Sequence, residues 1–482
     1  MIAALAAARC RFLSFLLTIM SPSLGIKPNV SLLLDDEKVD CRARGQGRLL
    51  KGLADQLVVD FLSTFMDVGS LSSLCVTSRF WYAMTHHDPI WRDLCIRHFG
   101  NGGITAFKKT WRGTFKFLFS GNCSPEKIIL VDNFYSDYLF ASIRCALADI
   151  PEMKSDSIPR FHASSEDFHK VHAKPGLPCI LTGAIDGWSC VGKWTLDYMM
   201  VEWGNVNFRA EAVDIPITAY REYSLACSAD DTAAVDGCRF TVGDESPLYI
   251  FDKDFFKKVP KAHQEFTVPD CFSSDLFSVL GEDRPDYRWL IAGPKRSGST
   301  IHVDPNSTSA WNAVVSGSKR WILYPPAWKP PGIFTDKAAS EITSPVSLSE
   351  WYLNFYHQVT KDIEYAKERD IVGPMEGICC TGEVMFIPAG WWHCVLNVED
   401  SVAITQNFVD ESNLSLVLSF LRDKPDQVSG YIEGRDLYAD FVDALGRKRC
   451  DVVLPLIPLK RKAPPLWDKL NGSEKKSTFR FL

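Results

Sequence analysis

The chain has 482 residues, 46% of them hydrophobic and 12% aromatic, enough apolar material for a globular protein of two or three domains. A formal charge of -6 and a pI near 6.0 exclude the broad positive field that binds nucleic acid regardless of sequence, so no direct sequence-specific nucleic-acid binding is expected. The 15 cysteines run from Cys10 to Cys450 without a CxxC pair, which fits free thiols in a reducing compartment better than a disulfide framework or a structural zinc site.

Residues 1–50 form an N-terminal segment expected to be flexible. Its start, MIAALAAARCRFLSFLLTIM, imitates a signal peptide, with Arg9 and Arg11 ahead of an apolar run. That run is too short to span a bilayer, so no membrane association is expected. Within residues 51–120, Leu53, Leu57, Phe61 and Phe65 recur every fourth position, and Val58 and Leu62 widen the stripe into an amphipathic helix. Gly69 and Ser70 are expected to break it. Leu71, Leu74, Ser78, Trp81 and Tyr82 then mark a second helix, and Asp88-Pro89 reads as the cap and first turn of a third carrying Ile90, Trp91 and Leu94. His86, His87 and Asp88 do not form a metal site, because consecutive side chains diverge on any regular element. The string from Leu53 to Leu94, closing in DPIWRDL, resembles an F-box, a small all-α module. That resemblance implies docking on a Skp-type adaptor of a cullin ubiquitin ligase. Where the family has Leu-Pro, this chain has Leu53-Ala54.

The texture then changes to short apolar runs between Gly and Pro: LPCILTG (177–183), SPLYIFD (246–252), YRWLIAGP (287–294), SAWNAVVSG (309–317), KRWILYPP (319–326), GEVMFIPAGWWHCVLNV (382–398) and SVAITQNFV (401–409). These read as strands, with a tight turn at Gly317-Ser318. Pro325 to Cys380 reads as an insertion with one helix over Leu348 to Lys367. The fold class is mainly β, a barrel or double-sheet jelly roll over residues 125–410 with inserted and flanking helices. Residues 411–446 read as C-terminal helices on Leu414, Val417, Leu418, Leu421, Leu437, Phe441 and Leu445. Residues 447–482 read as a flexible basic tail, whose run from Leu459 to Ala463 suits either a nuclear import signal or a solvated end.

GSTIHVDP places His302 and Asp304 two residues apart in a strand, where both side chains leave one face and can meet one ion. His393, in PAGWWHCVLN, supplies a second imidazole, and two His with one carboxylate on a β-scaffold match the facial triad of non-haem iron(II) oxygenases. Such a triad leaves positions open for a 2-oxo acid and dioxygen. The far carboxylate of that co-substrate needs a cation in an apolar barrel. Alternation puts Lys319 on the inward face with Trp321 and Leu323, whereas a register shifted by one would turn Arg320 inward instead. Asn312, Thr405 and Ser299 are hydrogen-bonding candidates on neighbouring strands.

SPLYIFD, DYRWLIAGP, SGSTIHVDPNSTSAWNAVVSGSKRW, PAGWWHCVLN and SVAITQNF together resemble the Jumonji-C family, in its branch of arginine demethylases and lysyl hydroxylases (phosphatidylserine-receptor-like proteins), over about Leu177 to Asp410. The resemblance implies a double-stranded β-helix (jelly-roll or cupin barrel), Fe(II) held by His302, Asp304 and His393, and 2-oxoglutarate held by Lys319, Asn312, Ser299 and Thr405. Where a threonine is usual, this chain has Ser299, which keeps the hydroxyl. It further implies a dioxygenase that couples decarboxylation of 2-oxoglutarate to succinate with hydroxylation or demethylation of Arg or Lys on a histone or other nuclear protein substrate, and residence in the nucleus. A different reading makes the barrel only the binding module of a ubiquitin-ligase substrate receptor.

Overall fold

The structure is a computed structural model that describes residues 25–33, 39–44, 52–121, 129, 131–163, 168–228, 244–335, 342–345 and 347–449. The apolar run at 1–20 and all but the first residues of the basic tail lie outside the described residues.

Four helices, rather than three, fill residues 55–99: Asp55–Phe65, Val68–Cys75, Arg79–Thr85 and Asp88–Phe99. The first ends at Met66-Asp67, ahead of Gly69 and Ser70, which sit inside the second helix. Asp67 starts that helix by accepting the backbone N–H of Ser70. Ser78 likewise caps the third helix through the N–H of Trp81. The cap of the fourth is His87 rather than Asp88. Asp88, at its first position, instead accepts the N–H groups of Trp111 and Arg112, and so ties the fourth helix to the start of the helix Trp111–Ser120. The expected apolar stripe is also divided. Val58, Val59 and Leu62 are buried, while Leu53, Leu57, Phe61 and Phe65 are exposed.

Fifteen strands follow among the described residues: β1 (Arg160–His162), β2 (Cys179–Thr182), β3 (Asn207–Ala210), β4 (Val213–Pro216), β5 (Ile250–Asp252), β6 (Arg288–Gly293), β7 (Gly298–His302), β8 (Ser309–Ser316), β9 (Ser318–Tyr324), β10 (Phe334–Thr335), β11 (Ile342–Thr343), β12 (Met375–Cys380), β13 (Val384–Ile387), β14 (Trp392–Asn397) and β15 (Ser401–Phe408). Nine of them form one sheet in the order β1-β2-β13-β8-β15-β6-β5-β3-β4, and β12-β9-β14-β7 form the facing sheet. The insertion is shorter than the sequence suggests, because its last residues, MEGICC, are strand β12 paired with β9. The run 382–398 is two strands on different sheets, parted at Pro388–Gly390. Gly317 joins β8 to β9, yet these strands do not pair. With φ at +80°, it carries the chain from one sheet to the other, and a Cβ there would meet the carbonyl oxygen of Asp400 at 2.2 Å.

Ile180, Val314, Met385, Trp321, Leu323, Cys379 and Val395 pack between the sheets as the inner core. The outer face of the larger sheet, with Trp311, Ala313, Val315, Phe386 and Ile404, continues into the core of the N-terminal helices through Phe80, Trp91 and Trp111. Ile322, Tyr324, Cys394 and Leu396 on the outer face of the smaller sheet pack on Trp351, Tyr352, Tyr356 and Val359 of the helix Leu348–Arg369, which Ser347 caps. Burial on both faces explains why strands such as β8 read as continuous apolar runs instead of alternating ones. The C-terminal helices Leu414–Asp423 and Leu437–Lys448 pair through Val417, Leu421, Phe441 and Leu445.

Candidate metal and co-substrate site

Strands β7 and β14 run antiparallel with His302 opposite His393. One extra residue on β7 shifts the register, so that Ser299 stands opposite Val395 of the inner core. This bulge keeps both His302 and Ser299 beside inward-facing partners although they are three residues apart. Asp304 lies just past the end of β7 rather than within it, extended at φ -59° and ψ 145°, where a one-turn helix begins.

The three side chains converge. Their donor atoms all lie within 4.8 Å of one another, with Asp304 Oδ1 at 3.9 Å from His302 Nε2 and 3.8 Å from His393 Nε2. Each imidazole spends its other nitrogen on a backbone carbonyl: His302 Nδ1 donates to Thr300 O at 2.7 Å, and His393 Nδ1 to Trp391 O at 3.1 Å. A carbonyl can only accept, so Nδ1 carries the proton and Nε2 turns its lone pair toward the shared space. Burial pushes both imidazoles down to about 4, His302 also through the neighbouring His393, which keeps them neutral at pH 7. Burial likewise lifts Asp304 to about 6. Its Oδ2 is buried without a hydrogen-bond partner among the described residues. Two neutral nitrogen donors and an unsatisfied carboxylate fit a divalent cation of the iron(II) type, which supplies the missing partner.

Lys319 is fully buried and points inward, while Arg320 points outward into an ion pair with Glu376 at 2.6 Å, which settles the register. Lys319 Nζ donates to Tyr249 Oη at 2.9 Å and to Asn397 Oδ1 at 2.7 Å, and burial lowers its pKa to about 7. No carboxylate contacts this ammonium among the described residues, so the pocket suits an anion brought from outside. Asn312 on β8 is the cross-strand neighbour of Thr405 on β15, and its Oδ1 is buried without a partner among the described residues. Thr405 Oγ1 donates to Trp311 O at 3.0 Å, which leaves its oxygen free only to accept. Tyr249 and Asn397 were not foreseen in the sequence. Asn397 was within reach, since it lies four residues beyond His393 on one strand and hence on the same face. Tyr249 comes from a distant segment, and only the sheet order brings it here.

A family model described as a cupin-like domain matches residues 165–413. The chain is 40% identical over 445 residues to an arginine-specific demethylase, JMJ22, of Arabidopsis thaliana, covering 89% of this chain and 83% of the relative. It is 34% identical over 274 residues to the bifunctional arginine demethylase and lysyl-hydroxylase psr-1 of Caenorhabditis elegans, covering 54% and 64%. It is 25% identical over 311 residues to the 2-oxoglutarate and iron-dependent oxygenase JMJD4 of Danio rerio, covering 60% and 67%. A matched domain spanning every strand of the two-sheet barrel after β1, together with a relative aligned over most of both chains, shows that this chain belongs to the cupin-like, JmjC-type domain family.

Proposed function

We propose that this chain is an Fe(II)- and 2-oxoglutarate-dependent protein oxygenase that hydroxylates or demethylates arginine or lysine side chains of histones or other nuclear proteins. One observation carries the reading: His302, Asp304 and His393 gather their donor atoms at one point inside a barrel that also buries the cation of Lys319. His302, Asp304 and His393 would hold the iron. Lys319, with Tyr249 beside it, would take the distal carboxylate of 2-oxoglutarate, and Asn312, Ser299 and Thr405 would complete the co-substrate pocket. Bound together, iron and 2-oxoglutarate supply the oxidising power that decarboxylates the keto acid to succinate and leaves one atom of dioxygen on a substrate carbon. The chain's own part is to hold the Nδ1 protons of both imidazoles on backbone carbonyls, to neutralise the co-substrate and to keep the inner core dry. Arginine and lysine chemistry is named for the relatives JMJ22 and psr-1, and a nuclear substrate agrees with the free thiols and the basic run at 459–463.

Succinate formation by the full chain supplied with iron, 2-oxoglutarate and nuclear peptides tests the proposal. His302→Ala should abolish it, and equal turnover in both proteins would remove the case. Mass spectrometry of the peptides separates a gain of one oxygen from the loss of a methyl group.

A second role is favoured by the N-terminal helices, where Leu53, Leu57, Phe61 and Phe65 stay exposed on one stripe and the rings of Phe61 and Phe65 lie 5.6 Å apart. We infer that this stripe docks a Skp-type adaptor. Phe61→Asp should leave stability within about 0.5 kcal/mol of wild type while abolishing capture by the purified adaptor, and absence of capture by the wild type would refute the role.

A further inference from the structure

Asp304 sits at the head of an unusual loop. The two residues after Pro305 both adopt left-handed backbone, Asn306 at φ 57° and Ser307 at φ 54°. Asn tolerates this region better than most residues, but serine does so poorly, and two in succession persist only where the surroundings fix them. Those surroundings come from far along the chain. Asn306 is 3% exposed, and its Nδ2 donates to Ser429 O at 3.0 Å while its Oδ1 accepts from Ser429 N at 3.1 Å. The loop's other end is held from the barrel, where Thr308 Oγ1 donates to Pro305 O at 2.8 Å and Asn407 Nδ2 donates to Thr308 Oγ1 at 2.8 Å. Ser429 lies between the two C-terminal helices, beyond the part of the chain that matches the cupin-like family.

Among the described residues the Asp304 carboxylate itself has no hydrogen bond that would hold it: Oδ2 is without a partner, and Oδ1 sees only the two imidazoles, at 3.9 and 3.8 Å. Its aim toward the shared point therefore depends on the loop backbone. We propose that Asn306 is a positioning residue for the metal centre, through which the C-terminal helices clamp the Asp304 loop and preset the third ligand. The proposal rests on the metal reading above and extends it to a segment outside the barrel.

Glycine substitution separates positioning from backbone strain, because Asn306→Gly accepts the left-handed conformation freely yet removes both bonds to Ser429. Mn(II) binding to the full chain, followed by electron paramagnetic resonance titration, should weaken about tenfold or more in Asn306→Gly, the usual effect of removing an outer partner of a ligand. The melting temperature of the metal-free protein should fall by only a few degrees, because the two lost bonds cost about 1–3 kcal/mol, so the chain stays folded at the temperature of the titration. Asn306→Asp keeps an acceptor for Ser429 N–H but sets an oxygen against Ser429 O, so it should fall between the two. Wild-type Mn(II) affinity in Asn306→Gly would overturn the proposal, as would a loss of affinity that merely tracks a fall in melting temperature. Failure of the wild-type chain to bind Mn(II), with Asp304→Ala behaving identically, would instead overturn the metal reading itself.

Discussion

Replacing Lys319 by methionine should make the ligand-free protein more stable and the enzyme useless. The ammonium is fully buried, and its pKa falls from the ordinary lysine value of 10.5 to about 7. At about 1.4 kcal/mol for each tenfold change in proton affinity, burying this side chain costs on the order of 5 kcal/mol at neutral pH. Methionine fills the same space without that cost. It also strands Tyr249 Oη and Asn397 Oδ1, which now accept from Nζ, and so returns about 1–3 kcal/mol. The net gain is about 2–4 kcal/mol, or roughly 2–5 °C in the melting temperature of a metal-free chain of this length. The sign with pH follows from the lowered value. Between pH 7 and 10.5 the unfolded chain binds a proton that the folded chain does not, so wild-type stability rises across that window. The advantage of the variant is therefore full below pH 7 and is lost and then reversed toward pH 10.5, where only the stranded partners count. Binding of 2-oxoglutarate, measured by calorimetry, should weaken at least about a hundredfold, because the far carboxylate is left buried without its cation. A variant that melts lower than wild type at pH 7 while binding 2-oxoglutarate normally would refute the reasoning.

Mn(II) at a hundred times its dissociation constant should stabilise the wild type by about 2.7 kcal/mol in thermal denaturation and His393→Ala not at all. Arg92→Met should cost about 1–3 kcal/mol by urea denaturation, since it takes the cation from the partly buried carboxylates of Glu211 and Asp244, now at 2.7 and 3.2 Å from the guanidinium. Gly317→Ala should destabilise by about 2–4 kcal/mol in the same assay, because φ is +80° and the added Cβ would meet Asp400 O at 2.2 Å.

The barrel and its three candidate ligands were legible because the strands are short, punctuated by Gly and Pro, and because a period of two places Lys319 with Trp321 and Leu323 whatever lies beyond. Strand β12 was hidden: MEGICC contains a glycine and a buried glutamate, Glu376, that is intelligible only once Arg320 and Tyr356 are seen around it. The pairing of β8 and β9 with different sheets was equally invisible, since a turn at Gly317 looks alike whether the chain folds back or crosses over. In the first helix, periodicity found the apolar residues but could not say which were core. Leu57 and Val58 are equally hydrophobic neighbours, and only packing shows that Val58 is buried and Leu57 exposed. The clamp on Asn306 joins residues 123 positions apart, beyond the reach of any local pattern.

The unbroken aromatic core between helices and barrel bears on how the enzyme can be cut for study. Phe107 and Trp111 sit against Tyr223 at 5.1 and 5.4 Å between ring centroids, and Glu222 accepts the backbone N–H of Phe107. A shortened version starting after residue 120 would strip this wall away, leaving greasy surface and unpaired acids open to water, and should aggregate. Expression designs that keep residues 25 onward, with Ile26 and Cys41 in the core and Arg42 paired to Asp55, should instead yield tractable material, and whatever grips the outer stripe of the first helix would be rigidly yoked to the catalytic chamber.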